Sequence, residues 1–171
     1  MFSYKIVLVG DFGTGKTSLV RRFVDNSFSE EYKSSIGVSI SKKLLKQELN
    51  DEIYDSTMMI WDIEGKTEFK SIFSYHLVGA KAFIIVADLS RMDSINSIEE
   101  HIRLCEKTVV NAPIIIALNK CDLEHIDINL ENIKNLSPNI INVLKTSAKE
   151  DKLVNDIFEI LNLKIIEGTI K

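Results

Sequence analysis

The residues Gly10-Asp11-Phe12-Gly13-Thr14-Gly15-Lys16-Thr17 place glycines, a lysine and a hydroxyl at the spacing of a phosphate-binding loop. They sit directly after an apolar run, 5–9, and directly before a helical pattern. Glycines let successive backbone N–H groups face one point, and the helix start that follows adds partial positive charge, which together suit the α and β phosphates of a nucleotide. Lys16 is expected to reach the β and γ oxygens, Thr17 to offer its hydroxyl to Mg²⁺, and Ser18 to complete the loop's contacts.

Two further segments bear on which base the loop would serve. Asn119-Lys120-Cys121-Asp122 and Thr146-Ser147-Ala148-Lys149 each close a short apolar run. Guanine presents N1–H and an N2 amine side by side, so the Asp122 carboxylate can accept from both, whereas adenine offers no such pair. Asn119 is expected on the N7 side, the Lys120 stem on the ring, and the Ala148 N–H on O6, with Ser147 and Lys149 in the same loop. Asp62-Ile63-Glu64-Gly65 supplies a carboxylate for Mg²⁺ through a water and a backbone N–H, that of Gly65, for the γ-phosphate.

These groups need a frame that brings distant segments together. Runs at 5–9, 82–87 and 114–118 are apolar on both faces, as strands covered by helices on each side are. Residues 39–49 and 53–62 read as an antiparallel pair turning at Asn50-Asp51, and 140–144 as a sixth strand. Helical spacing follows Lys16 and recurs at 68–76, at 94–108, weakly at 130–136, and at the end, where Leu153, Val154, Ile157, Phe158 and Leu161 form one stripe. The expected fold is α/β, a P-loop nucleotide-binding architecture: a six-stranded, mostly parallel sheet with helices on both faces, in one domain spanning 1–171.

Composition narrows the partners. The 171 residues are 45% hydrophobic and 27% charged with net charge −4, so no basic field draws in nucleic acid. The two cysteines, Cys105 and Cys121, have neither metal-ligand nor disulfide spacing, which fits a reducing compartment. His76, His101 and His125 lack ligand spacing and read as surface or packing residues. No leader and no run long enough to span a bilayer is present, nor a terminal cysteine for a prenyl anchor, so the sequence reads as a soluble, cytoplasmic monomer.

With these motifs in this order, the chain resembles a Ras-superfamily small GTPase, nearest the Rab branch, over nearly its whole length. The resemblance implies GTP/GDP and Mg²⁺ as ligands, and effector and regulatory proteins as partners that read two switch segments. Tyr32-Lys33-Ser34-Ser35-Ile36-Gly37-Val38 matches the family's first switch, with Ser35 where a magnesium-binding threonine stands. Phe28 falls where an aromatic meets the guanine. The family's effector-facing aromatic triad corresponds to Ile40, Trp61 and Leu77, of which Trp61 alone is aromatic.

Three departures bear on turnover. Lys66 stands where the family has a glutamine that orients the attacking water, and an ammonium has no acceptor with which to do so. Phe12 puts a ring where the family has glycine or serine, crowding the γ-phosphate. Glu64 brings negative charge near that phosphate unless it turns outward or pairs with Lys66. Hydrolysis is therefore expected to exist but to be slow, with Lys16, Ser35, Gly65 and Lys66 as the groups around the reacting phosphate. The rival readings are a GTP-binding interaction module with negligible turnover and an ATP-using P-loop enzyme, the second opposed by Asp122.

Overall fold

The computed structural model describes residues 1–30, 37–67 and 71–171. Its sheet has six strands: β1 (Phe2–Gly10), β2 (Val38–Leu49), β3 (Glu52–Ile63), β4 (Ala80–Asp88), β5 (Ile114–Asn119) and β6 (Ile140–Lys145), in the spatial order β2-β3-β1-β4-β5-β6. All neighbours run parallel except β2 and β3, whose register carries Val38 to Ile63 and Leu49 to Glu52. The turn between them holds Asn50 and Asp51 at φ 54° and 62°, the mirror-image turn whose twist matches a hairpin and which asparagine and aspartate tolerate.

Parallel neighbours require crossovers, and helices supply them on both faces. On one face α1 (Lys16–Asp25) and α5 (Val154–Thr169) cover Ile6, Leu8, Ile60 and Ile84, with Phe23 and Phe158 stacked at 4.0 Å between ring centres. On the other, α3 (Ile98–Thr108) and α4 (Leu130–Lys134) cover Val7, Val9, Ile85 and Ile116. Because the central strands are sealed on both sides, their side chains are apolar throughout. The chain leaves β1 for β2 and β3 on one side and reaches β4 on the other, so β1 is the point where strand order reverses. Ligand crevices in such sheets open beyond the carboxyl ends at that point.

Two helical expectations differ from the structure. The segment expected as helix at 68–76 shows a single 3₁₀ turn, Ser74–His76, and 71–73 are not helical; residues 68–70 lie outside the described set. Serine, β-branched and aromatic residues in 71–75 favour helix weakly, and no side chain caps the turn. The pattern at 94–108 divides into α2 (Met92–Asn96) and α3 at Ser97, whose hydroxyl and own N–H share the Asp93 carbonyl at 3.0 and 3.1 Å and so disturb the ladder there. No described helix is long and apolar enough to cross a membrane.

Candidate nucleotide site

Each motif follows the carboxyl end of a strand, so the sheet brings them together although up to 139 positions separate Gly10 from Lys149. A cavity of about 310 Å³ opens there. From the phosphate loop it is lined by Phe12, Gly13, Gly15, Lys16, Thr17 and Ser18. Asp62 and Gly65 line it from the end of β3 and the residues after it. Asn119, Lys120 and Asp122 line it from the end of β5, Ala148 and Lys149 from the loop after β6, and Phe28 from the segment after α1.

Four of the expected residues stand elsewhere. Asp11 turns its carboxylate away to His101 Nε2 at 2.8 Å, and Thr14 is fully buried with its hydroxyl donating to the Asp11 carbonyl at 3.1 Å. Ser147 lies behind the wall, donating to Asp122 Oδ1 at 2.7 Å and accepting from the Glu150 N–H at 3.0 Å. Lys66 pairs with Glu100 of α3 instead of Glu64, whose Oε2 accepts the Gly37 N–H at 3.0 Å. Tyr32 and Ser35 lie outside the described residues.

At the phosphate end Lys16 is 6% exposed and donates to the carbonyls of Asp11 at 3.0 Å and Gly10 at 3.4 Å. Burial pulls its pKa down to about 8; the Asp62 and Asp11 charges push it back up, and Arg91 lowers it. A desolvated ammonium on a cavity wall is a group that an anion would stabilise. The Thr17 hydroxyl meets Asp62 Oδ2 at 2.5 Å, so two hard oxygen donors stand together beside it.

At the base end Asn119 binds three segments to one another. Its Nδ2 donates to the Thr14 carbonyl at 3.0 Å, and its Oδ1 accepts from the Thr146 hydroxyl at 3.1 Å and the Ala148 N–H at 3.3 Å. Gly15 permits this approach, since a Cβ there would stand 2.3 Å from Asn119 Nδ2. Arg22 of α1 fixes the last loop from outside, donating to the carbonyls of Ala148 at 2.8 Å and Lys149 at 3.0 Å.

A family model described as "Ras family" matches residues 5–167. The chain belongs to the Ras family. Among curated relatives of this Ras-family chain, Rab-32A of Dictyostelium discoideum is 35% identical over 71% of it, which corresponds to 57% of that protein. Rab-1C of the same organism is 34% identical over 90% of the chain and 76% of its own length, and human Rab-19 is 31% identical over 96% and 76%. The chain thus spans little more than half of Rab-32A and about three quarters of the other two. Its likeness is to the Rab branch of the small GTPases.

Several residues of the site carry no local signal in the sequence. Arg22, Asp88 and Arg91 belong to no motif. His101 had one, an imidazole in the buried stripe Ile98, Ile102, Cys105 of α3, which marks a polar group with a buried partner. The surface expected to correspond to the family's aromatic triad is also altered: Leu77 is fully buried, while Phe73 and Tyr75 beside it stack in the open at 5.3 Å. Trp61 carries the Lys5 ammonium over its ring at 3.6 Å.

Proposed function

We propose that the chain is one guanine-nucleotide-binding domain that cycles between GTP and GDP with Mg²⁺, hydrolyses GTP slowly, and signals through the loop around Ser35 and the segment from Asp62 onward. The carrying observation is the convergence of the phosphate loop, Asp62, Asp122 and Ala148 on one cavity beside a buried lysine. In this reading the loop's N–H groups and Lys16 hold the phosphates and Asp122 accepts the guanine N1–H and N2 amine. Phe28 and the Lys120 stem flank the ring. The Ala148 N–H, now on a long bond to Asn119, turns to O6.

The donor set fits a magnesium ion: Thr17, Asp62 and, by sequence, Ser35 offer only hard oxygens. When bound, the ion would neutralise charge on the β and γ phosphates. The chain's own groups do the rest: Lys16 draws charge from the β–γ bridge, Gly65 offers an N–H to the γ-phosphate, and Phe12 shields that end from water.

Slow turnover is supported by Lys66, which has no acceptor for a water proton and whose ammonium is engaged by Glu100. The same pairing favours a second reading, an interaction module that keeps GTP and barely hydrolyses it. Single-turnover hydrolysis of preloaded GTP separates the two. A slow but measurable rate that Lys66→Gln raises at least about tenfold supports the switch. GTP retained unchanged in both proteins supports the module, and a wild-type rate that the substitution leaves alone refutes the role given to Lys66. Effector and regulatory proteins as partners, a monomeric state and a cytoplasmic setting complete the proposal.

A further inference from the structure

Behind the phosphate loop, outside the cavity, one buried carboxylate gathers two cations. Asp88, at the carboxyl end of β4, is 2% exposed. Its Oδ1 accepts from the Ser90 N–H at 3.0 Å and hydroxyl at 2.6 Å, and its Oδ2 from Arg91 Nε at 3.2 Å and Lys120 Nζ at 2.9 Å. Both cations then reach the loop: Arg91 Nη2 donates to the Phe12 carbonyl at 2.9 Å and Lys120 Nζ to the Gly13 carbonyl at 2.7 Å. Two successive carbonyls are thereby held outward by charged donors fixed to the sheet.

A trans peptide unit is planar, so its C=O and the following N–H point in opposite directions. Holding the Phe12 carbonyl outward sets the Gly13 N–H inward, on the side where Gly13 lines the cavity. A cation on the carbonyl oxygen also polarises the unit and makes that N–H a stronger donor. Gly13 sits at φ 76°, and glycine's wide conformational range leaves the orientation of this peptide to the groups that hold its carbonyl.

We infer that Arg91, anchored by Asp88, is a positioning residue for the nucleotide's phosphates: it locks the Phe12–Gly13 peptide with its N–H toward the polyphosphate. The inference rests on the guanine-nucleotide reading above. Lys120 takes the neighbouring carbonyl but also lines the cavity and flanks the base, whereas Arg91 does not line it, so Arg91 is the residue whose loss bears most directly on the phosphate end.

The test is GDP dissociation from wild type and Arg91→Ala, followed with a fluorescent GDP, together with ³¹P NMR of bound GDP. Loss of one charge-assisted bond predicts dissociation faster by about tenfold, with the β-phosphate resonance displaced and the preference for GDP over ADP retained. Dissociation within about twofold of wild type and an unmoved β resonance would overturn the inference. If the alanine protein does not hold its fold, Arg91→Gln decides, because its amide carries no charge: a displaced resonance supports the role and an unmoved one removes it. A wild type that binds no GDP defeats the guanine-nucleotide reading itself, whereas GDP binding beside an indifferent Arg91→Ala defeats only the positioning role.

Discussion

Replacing Gly15 with alanine separates two costs that the structure puts at one residue. The backbone there has φ 97° and ψ 22°, and a side chain in left-handed backbone costs about 1–2 kcal/mol. The new Cβ would also stand 2.3 Å from Asn119 Nδ2, and the amide of Asn119, 2% exposed, cannot yield without straining its bonds to Thr14, Thr146 and Ala148. Two such bonds lost at about 1 kcal/mol each bring the total to about 3–4 kcal/mol. Since the displaced loops are those that form the cavity, most of this appears in binding, as a loss of about two to three decades in GDP affinity. Gly13→Ala is the control. It has φ 76° but open space around the new Cβ, so it carries the backbone cost alone, about one decade. Calorimetric titration with GDP, alongside melting of each free protein, gives both numbers. Equal losses at the two positions, or a Gly15→Ala affinity within about threefold of wild type, would refute the argument from the Asn119 contact.

Other outcomes follow from the same geometry. Burial alone would raise the Asp11 carboxyl, but the hydrogen bond to His101, the nearby Ser97 hydroxyl and the charges of His101 and Lys66 hold it below the ordinary 3.8. Its contribution to stability is therefore complete above that value and lost as acid carries the pH down through the depressed one, so urea midpoints of Asp11→Asn should fall less steeply than wild type below about pH 4. A parallel fall in the two proteins would show that the His101 contact does not bias the proton. Phe158→Ala removes one of two stacked rings between α1 and α5 and should cost about 3–5 kcal/mol in urea unfolding; a cost below about 1 kcal/mol would mean the two helices do not share a core.

What could be read from the sequence was what local chemistry dictates. Asn50-Asp51 specify their turn because both must take positive φ, and doubly apolar strands announce the parallel sheet. The phosphate loop is legible because few residue types suit that spacing, and the structure brings Asp122 to the cavity that the loop lines. The braces behind them were not. Arg22 meets Ala148 across 126 positions and Arg91 meets Phe12 across 79, and nothing beside either residue foretells the pairing. The Lys66 ammonium was expected to pair with its neighbour Glu64, which instead takes the Gly37 N–H, leaving α3 to supply the partner. Periodicity failed where a serine hydroxyl back-bonds at residue 97, and the family likeness misplaced Leu77, which is fully buried where a partner-facing residue was expected.

On the proposed reading, this cavity recognises guanine through Asp122 and phosphates through the loop around Lys16. Calorimetric titration of the purified, nucleotide-stripped protein with GDP and with ADP, repeated on Asp122→Ala, tests it most directly. GDP should bind tighter than ADP by at least about two decades, with most of that margin lost in the variant. Equal affinity for the two nucleotides in the wild type, or an undiminished GDP affinity in Asp122→Ala, would contradict it.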